Sequence, residues 1–390
     1  MPLRPPAGFI SAFYDPLRNP NAPTIGTATA GDASASVTFT APTNVGGSAI
    51  SSYSALSTPG GLVGTAASSP ISVTGLTNGT AYTFAVWATN TYGPSAYSAA
   101  SGSVTPAAPR AVFVAGVSSG ANYNVMDYVT ISTTGNATDF GDYYQEKRFL
   151  SGLGSSTRGV FAGGEPDTGS NMQYITIAST GNSTTFGSLT TSDANYAATC
   201  ANSTRGLFTG FRQTSNVINY ITIATTGNAS DFGDLYINRY QMAGCASPTR
   251  GVFGGGSDGD RGTNVIQYVT IASTGNSQDF GDLITSMSGV ASFSSSTRGL
   301  FSGEQDKIDY ITIASTGNAS NFGDLTTGRI NMAGASSQTR GLFAGGGTSI
   351  GDNRIDYVTI ASTGNALDFG DLTIARYALG GASNGHGGLQ

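Results

Sequence analysis

From residue 107 onward the chain alternates short apolar runs with turn residues, and this alternation recurs as one sentence. Near-copies of DYITIASTGNATDFGDLT centre on Tyr128, Tyr174, Tyr220, Tyr268, Tyr310 and Tyr357, at intervals of 46, 46, 48, 42 and 47 residues. Within the motif, Tyr, Thr and a small residue alternate with Ile and Ile, the period of a pleated strand. Thr-Gly-Asn then supplies a tight turn, because Gly and Asn tolerate positive φ. Each unit reads as four strands. Strand a is the small-residue run before an arginine (MAGASSQ), strand b is TRGLFAGG, strand c is IDYITIAS and strand d is DFGDL. A period in the forties with four short strands per unit predicts β-propeller blades.

Residues 22–106 carry a different pattern. Runs such as SASVTFTAP, AISSYSAL and TAYTFAVWATN alternate between Gly, Pro and Asn clusters, which predicts a small β-sandwich. Residues 1–21 show no period. They are Pro-rich, with Phe9, Ile10, Phe13, Tyr14 and Leu17 interspersed, and so short a piece has no core in which to bury them. An extended arm that docks on a partner is expected, with a solvated tail as the competing reading.

The stretch 22–106 resembles a fibronectin type III domain over nearly its full length. Pro23, Tyr53 in the third strand and GLTNGTAYTFAVWATNTYG carry the likeness. In that last segment Leu76 precedes Tyr82, Phe84, Val86, Ala88, Asn90 and Gly93. The resemblance implies that Tyr82 is the family's corner tyrosine. Phe39 stands where the family usually has tryptophan, and without an RGD tripeptide no integrin-type adhesion is implied. The segment 107–390 resembles kelch repeats: an arginine, a small-residue strand, a Phe-Ala-Gly-Gly-like strand, then an aromatic strand. The match is divergent, since Phe of Asp-Phe-Gly, as at Phe232 and Phe280, replaces the tryptophan near the end of a kelch unit.

The ends of the repeat segment set the expected blade number. It opens at Arg110-Ala-Val-Phe, already a strand b, and finishes with YALGGASNGHGGLQ, which aligns with strand a and a degraded strand b. Six copies of strands c and d then need the C-terminal strand a to complete the first blade and remove an open edge. The expected fold class is all-β. It comprises an N-terminal extended arm (1–21), a fibronectin III-like β-sandwich (22–106) and a six-bladed kelch-like β-propeller (107–390).

Composition narrows the function classes. Of 390 residues, 56 are Gly and 10% are charged, and the net charge is −6. Gly without a three-residue period excludes collagen, and the aromatic content argues against disorder. An acidic chain offers no basic patch for phosphate, so nucleic acid is not an expected partner. No run reaches the ~20 apolar residues of a membrane span, so membrane insertion is not expected. Prolines in MPLRPPAGFISAFYDPLRNP interrupt the apolar run a secretory signal needs. Cys200 and Cys245 each sit five residues before a repeat arginine, where other copies carry Leu153, Phe293 and Ala335. Buried free thiols are expected there, not a disulfide framework.

Candidate chemistry is sparse, and the sequence assigns no catalytic residue, cofactor or metal. His386, the one histidine, has no ligand or triad partners at suitable spacing. Asp231-Phe232-Gly233 mimics a kinase tripeptide without that family's lysine or catalytic loop. GGGSDGDRG, Gly254 to Gly262, lacks the ending of a phosphate-binding loop, and its Asp258 and Asp260 are too few for a typical calcium loop. Asn-x-Ser/Thr at Asn136, Asn182, Asn228 and Asn318 follows from turn chemistry, so glycosylation is not expected. A propeller glycosidase needs a carboxylate pair over the axis, whereas the recurring carboxylates lie in strand d and its turn.

The pattern of variation is more informative. Antiparallel strands alternate direction, so the b–c and d–a connections should emerge on one face and the a–b and c–d connections on the other. The a–b (SSTRG, NSTRG, SPTRG, SQTRG) and c–d (STGNA, TTGNA) connections are nearly constant. The b–c connections all differ (VSSGANYNV, GEPDTGSN, FRQTSNV, GSDGDRGTNV, EQDK, GTSIGDNR), and the d–a connections vary too (YYQEKRF, TTSDANY, YINRYQ, TIARY). Variable loops on a rigid scaffold suit recognition; unconstrained drift is the rival explanation. The candidate binding residues are Tyr123, Tyr144, Phe211, Tyr236 and Tyr240 for stacking, and Arg212, Arg261 and Arg354 for acidic groups, with Asp258 and Asp260 beside them.

Arm, sandwich and propeller in this order resemble the modular fibres and decorations of tailed phages, including those of cyanobacteria. The resemblance implies a non-enzymatic virion structural protein of tail, neck or head, assembled in the host cytoplasm. Its arm would bind other virion proteins, and its propeller a host-surface glycan or protein. The alternatives are a purely structural decoration or subunit contact, homo-oligomer included, and a carbohydrate-active propeller enzyme.

Overall fold

A computed structural model describes residues 17–166, 169–192, 194–212 and 215–389. Phe9, Ile10, Phe13 and Tyr14 of the arm lie outside the described residues, and Leu17 is exposed. Among the described residues the regular structure is all β-strand apart from one 3-10 turn, Gly387–Leu389. The chain divides into two units, Met1–Ala108 and Pro109–Gln390.

In the first unit the alternating pattern becomes two antiparallel sheets. Thr24–Gly31, Ser34–Thr40 and Ile71–Thr74 form one; Val63–Ala66, Ser52–Thr58, Thr83–Asn90 and Gly93–Pro94 form the other. Thr83–Asn90 buries every second residue, as a pleated strand with one covered face must. Both sheets contribute to one apolar cluster that includes Val37, Phe39, Tyr53, Ile71, Phe84 and Val86. The Tyr82 hydroxyl accepts the Thr77 backbone N–H at 3.0 Å.

In the second unit the strands fall where the repeat predicts them. Around Tyr220, strand a is Ala198–Ala201, b is Arg205–Thr209, c is Val217–Thr222 and d is Ser230–Asp234. Four sheets have this four-stranded order. The first two repeats instead share one seven-stranded sheet, because Thr138–Gly154 runs unbroken from strand d of one into strand a of the next. Its YYQEKRF segment has no Gly, Pro, Asn or Asp to turn the chain. Gly380–Ser383 pairs antiparallel with Arg110–Ser118 at the edge of that sheet. The following residues do not continue as a strand b but form the 3-10 turn.

The repeated residues act between sheets. Arg110, Arg158, Arg205, Arg250, Arg298 and Arg340 each stack on their own repeat's tyrosine, with the guanidinium carbon between 4.3 and 4.9 Å from the ring centre. Each also donates to a carbonyl at the end of strand c in another repeat. Arg205 reaches Ile271 at 2.9 Å, and Arg340 reaches Ile131 at 3.0 Å. The Thr-Gly-Asn turn docks on strand d of the preceding repeat: Gly275 N–H donates to Phe232 O at 2.7 Å, and Asn276 Oδ1 accepts Asp234 N–H at 3.0 Å. This pair of bonds recurs at all six junctions, with Gly135 and Asn136 binding Phe369 and Asp371. Asn136, Asn182, Asn228 and Asn318 are therefore junction acceptors. Gly233 is required by the docking, since its φ is 144° and a Cβ would lie 2.5 Å from the Gly275 carbonyl carbon.

Side-chain volume is matched across the same junctions. Cys200 Sγ and Cys245 Sγ each lie 2.5 Å from where Gly251 and Gly299 would carry a Cβ, and Leu153 packs on Gly206 in the same manner. Both thiols are buried and free, and desolvation pushes their pKa values well up.

Two stability measurements check this arrangement. Phe232 is 2% exposed, with its ring edge-on to Tyr220 at 6.1 Å. Phe232→Ala should cost ~3–5 kcal/mol in chemical unfolding; a loss below ~1 kcal/mol would mean that the Asp-Phe-Gly strand is not core. Deleting residues 378–390 removes the strand paired with Arg110–Ser118 and should lower the melting temperature of the second unit. An unchanged cooperative melt would show that this pairing contributes nothing.

Candidate functional site

Strand a of every repeat is rich in Ala, Gly and Ser, which lets these strands approach one another closely. Thr199 donates to Gly152 O at 2.5 Å, Ser292 to Gly244 O at 2.8 Å and Ser336 to Ser294 O at 2.8 Å. A Cβ on Gly381 would lie 2.6 Å from Gly334 O, and one on Gly152 would lie 2.5 Å from Gly381 O. Residues from the strands a of all six repeats line a cavity of about 150 Å³. No Asp or Glu among the described residues lines it, so the cavity offers no carboxylate for acid–base work.

One end of this cavity is built from the variable connections, which meet through backbone hydrogen bonds. Tyr240 and Ser257 exchange bonds at 3.1 and 2.7 Å, Tyr377 and Val117 at 3.0 and 2.9 Å, and Arg212 N–H donates to Asn195 O at 3.1 Å. At the entry to each strand a, two residues before the strand in five repeats and within Thr138–Gly154 in the other, one residue takes a left-handed backbone. These are Phe149 (φ 55°), Tyr196 (62°), Gln241 (58°), Gly289 (58°), Asn331 (54°) and Ala378 (58°). They join one another: Phe149 N–H donates to Ala378 O at 2.7 Å, Ala378 to Asn331 O at 2.8 Å, and Asn331 to Gly289 O at 2.9 Å. All six line an open cavity of about 70 Å³. A residue other than Gly or Asn in this conformation costs roughly 1–2 kcal/mol, so Phe149, Tyr196, Gln241 and Ala378 are held here against local preference.

One side of this mouth is aromatic. The Phe149 and Tyr196 rings stack at 3.9 Å, and Tyr240 meets Tyr196 edge-on at 6.1 Å. The Arg148 guanidinium lies 5.9 Å from the Phe149 ring centre, and that of Arg212 lies 5.6 Å from Tyr196. Glu165 joins the two arginines, accepting from Arg148 at 2.7 Å and from Arg212 at 2.9 Å. The Tyr196 hydroxyl pKa is pushed up to about 12, first by burial and then by the Glu165 charge.

Most residues singled out in the sequence do not gather here. Phe211 is fully buried, which corrects the expectation of an exposed stacking surface. It shares an apolar cluster with Ala194, the small residue at the repeat position where Lys147, Arg239, Met287, Arg329 and Arg376 stand elsewhere. Tyr144 and Tyr236 are exposed but occupy equivalent positions in the first and third repeats, with the second between them. Tyr123 is partly buried in Ala121–Thr130, opposite Lys147. Asp258 accepts the N–H groups of Asp260 and Arg261 at 3.1 and 3.0 Å. Those bonds, that of Arg261 foremost, hold its carboxyl below the usual pKa. Asp260 and Arg261 are exposed, and no metal-ligating group of three side chains occurs among the described residues. Arg354 pairs with Asp352 at 3.0 Å. Only Arg212 and Tyr240 join the mouth cluster.

Phe149, Tyr196, Arg148, Glu165, Gln241 and Asn331 were not singled out by sequence reasoning. For Phe149, Tyr196, Gln241 and Asn331 the signal was a single alignment column, since the residue before each small-residue run differs in all six copies; Arg148 and Glu165 lie outside that column, in the variable connections. Comparison with protein-family models and with curated proteins found no match for this chain.

The other end of the cavity lined by the strands a is occupied by the C-terminal turn, with His386 in its lining. His386 Nε2 lies 2.8 Å from Gly154 O, and Nδ1 accepts the Gly388 N–H at 3.2 Å, an arrangement that suits the neutral Nε2–H tautomer. Burial lowers the ring's pKa from its usual 6.5, more than the Gly154 carbonyl raises it. The unfolded chain then binds the proton more readily, so stability is full above pH ~6.5 and is lost as pH falls below it. Asp309 acts with the opposite sign, because burial raises its carboxyl pKa despite the Ile284 N–H. Melting temperature should therefore fall between pH ~7.5 and ~5.5, and His386→Gln should flatten or reverse that slope. An identical slope in the variant would remove His386 as its cause.

Proposed function

We propose that this chain is a non-enzymatic virion surface protein, a tail, neck or head fibre or decoration, whose repeat unit recognises a host-surface glycan or protein. In this reading the repeats form a six-bladed kelch-like propeller. The cyclic set of junction bonds and the pairing of Gly380–Ser383 with Arg110–Ser118 support that architecture. The first unit is taken as a fibronectin III-like spacer, which the bond from Thr77 N–H to the Tyr82 hydroxyl supports. Residues 1–21 would anchor the protein to other virion components.

One observation carries the recognition role. Residues constant among the repeats are used at the junctions, while the residues that ring the mouth differ in every repeat. Glu165 is tied to two arginines and, among the described residues, to no second carboxylate, which favours binding over glycoside hydrolysis.

Particle assembly and adsorption test the two halves of this proposal separately. Removing residues 1–17, which keeps the bonds of Arg18 to Gly46 and of Asn21 to Asn44, should abolish incorporation into the particle while both units remain folded. Replacing residues 258–261 and 212–216 with Gly/Ser, leaving the core residue Phe211 in place, should permit assembly but weaken adsorption to cells. Unchanged adsorption after all six b–c loops are replaced would reject recognition and leave a purely structural decoration. Incorporation without the arm would reject the anchoring role.

A further inference from the structure

The mouth cluster narrows the ligand, an inference that rests on the recognition reading for its biological role alone. We infer that the ring formed by Phe149, Tyr196, Gln241, Gly289, Asn331 and Ala378 binds a sugar ring carrying a carboxylate, a uronic-acid unit of an acidic glycan.

Gly289 shows that glycine satisfies the left-handed backbone at this position. Phe149 and Tyr196 therefore contribute something other than backbone geometry. Their rings stack on each other at 3.9 Å with 28° between planes and, with Tyr240 edge-on to Tyr196, leave partly exposed aromatic edges as a surface beside a small open cavity. The C–H face of a pyranose packs on such a surface. Gln241 and Asn331 line the same cavity and bring amide donors and acceptors suited to hydroxyl groups.

Charge selects the acidic class. Arg148 and Arg212 share the single carboxylate of Glu165, leaving one positive charge in excess within this triplet. Arg148 binds Glu165 through Nε and Nη2, whereas Arg212 uses Nη1 alone, and its side chain is 50% exposed. A planar ligand carboxylate fits the remaining guanidinium edge. The cluster around Arg354 lacks this excess: Arg329 and Arg354 stand against Asp352 and Asp356.

Titration of the full chain with methyl β-glucuronide, methyl β-glucoside and acetate, followed by calorimetry or NMR, tests the inference. The glucuronide should bind at least about tenfold more tightly than the glucoside, because a charge-assisted contact is added, and acetate should not compete at equal concentration. Arg212→Gln should bring the glucuronide down to the level of the glucoside. Phe149→Gly with Tyr196→Gly should abolish binding of both sugars, and the melting temperature will show whether that variant is folded. No saturation by glucuronide, equal affinity of the intact chain for both sugars, a glucuronide preference that survives Arg212→Gln, or sugar binding by the folded Phe149→Gly/Tyr196→Gly variant would overturn the inference. Glucuronide binding combined with unchanged adsorption of particles bearing Arg212→Gln would uphold the site and reject its role in recognition. Adsorption lost on loop replacement, with no glucuronide binding by the intact chain, would do the reverse.

Discussion

The outer strand of each four-stranded sheet has a free edge, and backbone N–H and C=O groups on such an edge need partners. Here the Thr-Gly-Asn turn of the next repeat provides them: its Gly N–H takes the Phe carbonyl of Asp-Phe-Gly, and its Asn Oδ1 takes a backbone N–H two residues on. Other constants of the repeat follow from this docking. Gly233 has to lack a side chain because the turn lies where a Cβ would be. The arginine crosses the junction nearby, held over its own tyrosine while it caps a carbonyl of another repeat. A residue repeated six times is here a residue used at six junctions.

The interior between repeats tolerates more change because it is matched in pairs. A large residue such as Phe293 packs on Gly341, whereas the small Ala335 shares its cluster with Ala111. Buried charge follows the same logic. Arg376 and Asp127 are fully buried 2.8 Å apart, and Arg329 pairs with Asp356 at the same distance. At the equivalent position beside Asp309 the repeat has Met287, and burial raises that carboxyl's pKa. Such pairs are therefore local solutions rather than a requirement of the scaffold, consistent with the small net worth of buried ion pairs.

The strands and the terminal pairing were legible in the sequence, because period-two alternation and turn residues are local signals. Thr138–Gly154 as one strand was legible only in retrospect, from the missing turn residues in YYQEKRF. Phe211 was misread because its burial depends on Ala194, a distant position in the chain with no local mark. The mouth was missed for a different reason. Left-handed backbone is usually announced by Gly or Asn, but Phe149, Tyr196, Gln241 and Ala378 adopt it without that chemistry. Repetition of the position, not the identity of any residue, was the signal.

That position separates the two demands on the chain. The backbone hydrogen bonds from Phe149 to Ala378, Ala378 to Asn331 and Asn331 to Gly289 are made by main-chain atoms, so they survive almost any side chain that can accept a positive φ. The junction residues lie on strand d, in the c–d turns and, for the arginines, at the start of strand b, and are untouched by changes at the mouth. A substitution in this single column therefore alters what the mouth presents while the ring and the junctions keep their partners. The strain of holding Phe and Tyr there is a local cost of one or two residues, small against six junctions that each contribute several hydrogen bonds. Side-chain diversity at the centre of this face is thus physically inexpensive for the scaffold, whereas diversity at Gly233, Asn276 or Arg205 would open the edge of a sheet.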